Sequence, residues 1–240
     1  TKAGQKCTAV RRIMVPEHMV EDVQIALGKR LATSTIGDPS VEGVRMGSLA
    51  GQSQREEVLE KIAQLKQTQG IVFGDLSNFE VKGADKAKGA FLPPIVFLND
   101  NPFHKTAVHD IEAFGPVSTI MPYKDIEEAA ALAQMGKGSL VSSIITADDQ
   151  IAKAYTLEAA TMHGRILVLN RDCAKESTGH GPPMPMLIHG GPGRAGGGEE
   201  MGGVRGILHF MQRTAIQGSP TTITAITNVY QQGAKGNIDG

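Results

Sequence analysis

Short apolar runs alternate with stretches of helical periodicity along most of this chain, and that alternation constrains the fold more than any other feature. Residues 9–16 (AVRRIMVP) read as a strand closed by proline. Residues 17–33 then carry Val20, Val23, Leu27 and Leu31 at helical spacing. Residues 53–69 set Val58, Leu59, Ile62 and Leu65 on one face with charges opposite, and Ser53-x-x-Glu56 ahead of them reads as a capping box. Strands follow at 71–73 and at 90–98, the latter an edge or bent strand because of its proline pair. Strand 117–121, alanine-rich helix 125–134, strand 140–146, helix 148–162 and strand 165–169 (RILVL) continue the alternation. The expected fold is α/β, a mostly parallel twisted sheet flanked by helices.

After Asn170 the texture changes. Residues 171–206 are rich in Gly, Pro and polar side chains, and 199–211 have room for a helix. Residues 221–227 (TTITAIT) are β-branched and read as a strand that pairs with a sheet edge, sometimes of another subunit.

Composition excludes some classes of partner. Lys+Arg number 24 and Asp+Glu 25, which gives no case for nucleic acid or an anionic membrane surface. No apolar run is long enough to span a bilayer. Cys7 and Cys173 form no CxxC, which suits a reducing, cytoplasmic setting. His104, His109, His180 and His189 fit no zinc spacing, so no metal is expected. The chain opens on Thr1, and an upstream part of a longer polypeptide is expected.

Cys7 lies among small and polar residues (AGQKCTAVRR), ahead of the apolar Ile13-Met14-Val15. Two readings stand: a reactive thiol on a turn beside Lys6, which favours the thiolate, or a small buried hydrophobe. Glu112-Ala113-Phe114-Gly115-Pro116 precedes the next long strand. Its acid either accepts from the paired hydroxyls of a sugar, with the aromatic ring against a flat base, or is a solvated loop acid. Gly191-Pro192-Gly193-Arg194-Ala195-Gly196 matches G-x-G-x-x-G literally, but the proline and the lack of a following βα unit favour a flexible loop over a phosphate site.

A GQ-x-C segment followed by E-x-F-G-P about a hundred residues on resembles the aldehyde dehydrogenase superfamily. KGSLVSSIITAD and GRILVLN are similar to that family's later strands. AGQKCTAVRR and NRDCAKESTGHG resemble its branch that forms the dehydrogenase half of bifunctional ring-opening enzymes of phenylacetate degradation. The resemblance implies residues 1–211 as a catalytic domain and 212–240 as the oligomerisation strand and tail of a homo-oligomer. It implies Cys7 as nucleophile, its backbone N–H as an oxyanion donor, and Glu112 and Phe114 as contacts to the nicotinamide side of NAD or NADP. It sets Asn170 and Cys173 beside the substrate pocket. The implied substrate is an aldehyde, possibly CoA-linked. Acylating chemistry resolved by CoA, and a non-catalytic assembly module, are the alternatives. The family's general base, its oxyanion asparagine and its nucleotide-binding domain lie upstream of the nucleophile, so this stretch alone is expected to bind the dinucleotide weakly and not turn over.

Overall fold

A computed structural model describes residues 2–181, 190–197 and 210–235. The chain divides into two compact units, residues 1–124 and 125–240. The first contains β1 (Arg12–Pro16), α1 (Val20–Ala32), α2 (Gln52–Leu65), β2 (Gly70–Phe73), β3 (Ile95–Leu98), α3 (Ala107–Asp110) and β4 (Val117–Tyr123). Its sheet has the order β1-β4-β3-β2. β4 is parallel to both β1 and β3, and only β2 runs antiparallel.

The apolar periodicities explain how this unit closes. On one side, α2 buries Val58, Ile62 and Leu65 with Ile95, Phe97 and Val117. In a second cluster, Val20, Val23, Leu27 and Leu31 of α1 pack on Val15, Val96 and Ile120. Fully burying such aliphatic side chains stabilises the unit by about 1.5–3 kcal/mol each, and the half-buried α1 face contributes less.

Two local expectations are corrected here. β3 starts only at Ile95, after the Pro93-Pro94 pair, and lies inside the sheet between β2 and β4. The prolines therefore remove no hydrogen bond from the ladder. The N-cap of α2 is Gly51 and makes no side-chain cap bond, so Ser53 already sits inside the helix and the capping box does not form.

The second unit contains α4 (Ile126–Gln134), β5 (Ser139–Ile145), α5 (Asp149–Ala159), β6 (His163–Leu169), β7 (Ala215–Gln217) and α6 (Pro220–Thr227). β5, β6 and β7 form a parallel sheet with β6 central, where Ile166, Leu167 and Val168 are buried. Asp125 and Asp148 cap α4 and α5, accepting from Glu128 N–H at 2.9 Å and Gln150 N–H at 2.8 Å.

The terminal TTITAIT segment is a helix, not the expected strand. Ser219 accepts from Thr222 N–H, and Pro220 occupies the first turn, where its missing N–H costs nothing. β-branching costs only a few tenths of a kcal/mol per residue in a helix. Thr227 Oγ1 also donates back to Ile223 O at 2.8 Å. Asn228 ends the helix in the left-handed conformation. The strand of this region is β7, and it pairs with β6 of the same chain. The further helix expected near residues 199–209 lies outside the described residues.

Candidate active site

Cys7 occupies a tight turn ahead of β1, closed by Ala9 N–H donating to Lys6 O at 2.9 Å. Its thiol is exposed. The flanking residues hold the turn down: Ala3 is buried in the core with Ala113 and Val117, and Thr8 is buried on the other side. Gln5 Oε1 accepts from Ala50 N–H at 2.7 Å. Lys2, Ala3 and Gly4 all adopt positive φ, at 49°, 49° and 74°. The turn thus exposes Cys7 between two residues, Ala3 and Thr8, that are buried.

The Glu112 turn leads into β4 in the same way. Ala113 is buried, while Glu112 and Phe114 on either side of it are exposed. Phe114 has φ 49°, an uncommon conformation for a bulky residue. β1 and β4 run parallel with Arg12 opposite Thr119, so both turns enter the sheet from the same end. They touch: a Cβ built on Gly4 would overlap the Gly115 carbonyl and stand 2.8 Å from Pro116 N. The Ser118 hydroxyl donates to Val10 O at 2.6 Å.

Sequence reasoning missed the residues that fasten these turns from the other side. Arg11 Nη1 donates to Val108 O and Ile111 O, both at 2.9 Å, and to His109 O at 3.4 Å. Arg12 Nη1 donates to His109 Nδ1 at 3.1 Å. His109 is buried, and its Nε2 donates to Pro102 O at 2.8 Å. These two partners assign the neutral tautomer with the proton on Nε2. Burial pushes the His109 pKa below its ordinary value, and the Arg12 and Arg11 charges add to the effect. A signal was present: two adjacent arginines opening an apolar strand need partners, because desolvated charge is costly unless paired.

Asn170 and Cys173 meet each other in the second unit, at the end of β6. Asn170 Nδ2 donates to Thr222 Oγ1 at 2.9 Å, and its Oδ1 accepts from Asp172 N–H at 3.0 Å. Half-buried Cys173 accepts from Asn170 N–H and donates to Val168 O, both at 3.5 Å. Both side chains are engaged with neighbouring backbone and with the start of α6.

The exposed Glu112 carboxylate and the 46%-exposed Phe114 ring fit the sugar-and-ring end of a dinucleotide: an acceptor for paired hydroxyls and a face for a planar group. The glycine turn does not fit its phosphates. Gly191 N–H donates to Gly196 O, Arg194 N–H to Lys137 O, and Ala195 N–H to Pro192 O. Donors spent inside the fold cannot cradle an anion. The turn is packed rather than loose: a Cβ on Gly193 or Gly138 would overlap the backbone of Lys137 or Pro192. A cleft of about 440 Å³ lined by Gln52, Arg55, Asp85, Lys86, Ala87 and Gly89 includes none of Cys7, Glu112 and Phe114.

The sequence model described as the aldehyde dehydrogenase family matches residues 1–216. Protein MaoC of Klebsiella aerogenes is 47% identical over 194 residues, which cover 81% of this chain and 56% of that protein. A 3,4-dehydroadipyl-CoA semialdehyde dehydrogenase of Aromatoleum evansii is 40% identical over 191 residues, covering 80% and 37%. The crystal structure of HpcC from Thermus thermophilus matches with TM-score 0.69 at 25% identity, covering 87% of this chain and 38% of that one. Succinic semialdehyde dehydrogenase from Streptococcus pyogenes, solved with NADP+, matches in fold with TM-score 0.64 at 23% identity, covering 80% and 38%. The chain therefore spans about half the length of the first relative and just over a third of the second.

Proposed function

The chain belongs to the aldehyde dehydrogenase family, and on that footing we propose that it carries the nucleophile and the nicotinamide-side contacts of an enzyme that oxidises an aldehyde to a carboxylic acid. The observation that carries this reading is the packing of an exposed thiol turn against the Glu112 turn, at one end of two paired parallel strands.

Cys7 as thiolate adds to the aldehyde carbon, forming an S–C bond and moving the carbonyl electron pair onto oxygen. The Cys7 backbone N–H is the oxyanion donor that the family resemblance implies, and removal of one such donor elsewhere costs about 10²–10³ in rate. NAD or NADP, when bound, would supply the hydride acceptor that side chains lack; loss of the hydride from the former aldehyde carbon leaves the substrate as a thioester on Cys7. Water then attacks the thioester carbon and the S–C bond breaks, releasing the carboxylate and the thiolate with two protons passing to solvent. Glu112 would accept hydrogen bonds from the ribose hydroxyls, and Phe114 would pack beside the ring.

The 40% identity to an enzyme named for a CoA-linked semialdehyde supports a substrate of that class, and the resemblance of AGQKCTAVRR and NRDCAKESTGHG to the phenylacetate branch supports its origin in aromatic catabolism. The working enzyme is a cytoplasmic homo-oligomer, with Asn170 and Cys173 shaping its substrate side. The 240 residues alone bind the dinucleotide weakly and do not turn over; the glycine turn, its N–H donors spent inside the fold, adds no phosphate site.

Iodoacetamide labelling followed by peptide mass spectrometry tests the nucleophile. Cys7 labels at least about tenfold faster than Cys173, and an aldehyde substrate slows only Cys7, as expected for the more accessible sulfur. Equal, aldehyde-insensitive labelling of both would sink the reading.

A further inference from the structure

We propose that Arg11 is a positioning residue, holding the turn that bears Glu112 in register with the turn that bears Cys7. The assignment of Glu112 and Cys7 to the reaction rests on the reading above; the tie itself rests on geometry.

Cys7 lies between Gly4 and Arg11 in sequence, and Glu112 and Phe114 lie between Ile111 and Gly115. The two stretches are joined at both limits. At one, Gly4 sits flush on the Gly115 carbonyl. At the other, Arg11 reaches Ile111 O and Val108 O at 2.9 Å and His109 O at 3.4 Å. Glu112 and Phe114 therefore hang from two fastenings, both provided by the segment that carries the thiol.

The carbonyls that Arg11 collects are of a particular kind. α3 has four residues, Ala107–Asp110, and its last carbonyls have no partner within the helix. A cation is favoured at a helix C-terminus, and a planar guanidinium meets several diverging acceptors at once. The hydrogen bond to Ile111 O reaches one residue past the helix, to the peptide that leads into Glu112. Arg12 supports the same corner through His109, which is in turn held by Pro102 O. A lysine at position 11 keeps the charge and one donor nitrogen but lacks Nη2, which adds a second contact to His109 O at 3.4 Å, so it can satisfy only part of this set.

The test uses the 240-residue chain with Arg11→Gln and Arg11→Lys. Hydrogen exchange of the amides of residues 111–117 rises by about tenfold or more in Arg11→Gln, the scale expected for lost hydrogen bonds to a charged group, while Ile95–Leu98 amides stay within about twofold. The NAD+ concentration that protects Cys7 from iodoacetamide rises by a similar factor of about ten, with the unprotected labelling rate within about twofold of wild type. Arg11→Lys recovers part of both effects, and it serves as the test variant if Arg11→Gln fails to fold. A role confined to general stability would raise exchange across β3 as well and leave the protecting concentration alone, and that result overturns the proposal. So does wild-type exchange at 111–117 in both variants. Absence of NAD+ protection in the wild type would instead count against the dinucleotide reading, and exchange at 111–117 would still judge Arg11.

Discussion

Gly4 lies flush against the carbonyl of Gly115, so closely that position 4 has no room for a β-carbon. The obstacle is backbone, which a rotamer change cannot move aside. Gly4 also has φ 74°, where a side chain adds roughly 1–2 kcal/mol of its own. Gly4→Ala is expected to destabilise the chain by about 2–4 kcal/mol in all, from overpacking and backbone strain together. Urea unfolding measures the loss. Iodoacetamide labelling shows the local effect, because separation of the two turns abolishes protection of Cys7 by NAD+.

Phe114 gives a separation of stability from binding. Its φ of 49° costs about 1–2 kcal/mol for a residue of this kind, and its ring returns little by burial because it is 46% exposed. Strain of this sort often persists where a site requires it. Phe114→Gly is expected to keep or raise the thermal midpoint while weakening dinucleotide binding. Calorimetry and a binding titration on the same variant check both halves. A drop in the midpoint with binding intact would reverse the assignment.

His109 makes part of the stability depend on pH. Burial, then the Arg12 and Arg11 charges, oppose protonation, while the bond to Pro102 O and the Asp110 charge favour it; the balance lies below the ordinary value of 6.5. The unfolded chain therefore takes up this proton first as pH falls. The contribution is complete above the unfolded pKa and is lost as pH drops below it toward the folded pKa. Protonated Nδ1 also faces a donor, Arg12 Nη1, so the charged ring loses that bond. Urea midpoints from about pH 7.5 to pH 5.5 fall in the wild type, and they fall less steeply in His109→Gln, which offers an acceptor and a donor without titrating near neutrality.

In the second unit, Ser219 caps α6 and shares a hydroxyl network with Thr222, which donates to Asp149 at 2.6 Å. Ser219→Ala is expected to cost about 0.5–2 kcal/mol, read as a lower urea midpoint. Asn170 contributes to the same corner, so Asn170→Ala and Ser219→Ala should combine non-additively in a double-mutant cycle.

Much of the framework is legible from periodicity. α1 and α2 announce their buried faces at Val20, Val23, Leu27 and Leu31 and at Val58, Ile62 and Leu65, and RILVL in β6 is apolar enough to be central. The misreadings have physical causes. At TTITAIT the β-branched composition outweighs the Ser219-Pro220 start signal to the eye, although capping and a tertiary contact to Asp149 decide the state. At 90–98 the apolar run continues through the proline pair, yet the strand itself begins only at Ile95. Cys7 and Glu112 stand out through their resemblance to a family motif. Arg11 and His109 do not, because their meeting depends on which strands pair, and Arg11 and Ile111 are 100 positions apart.

The pairing of β1 with β4 has a consequence for biosynthesis. Val10 and the Ser118 hydroxyl that bonds its carbonyl are 108 positions apart, and β1 stands at the sheet edge with β4 as its one neighbour among the described strands. On the ribosome, the cysteine therefore emerges long before its docking surface has been translated. A nascent chain arrested anywhere between the two strands would display an undocked thiol, open to passing oxidants and electrophiles.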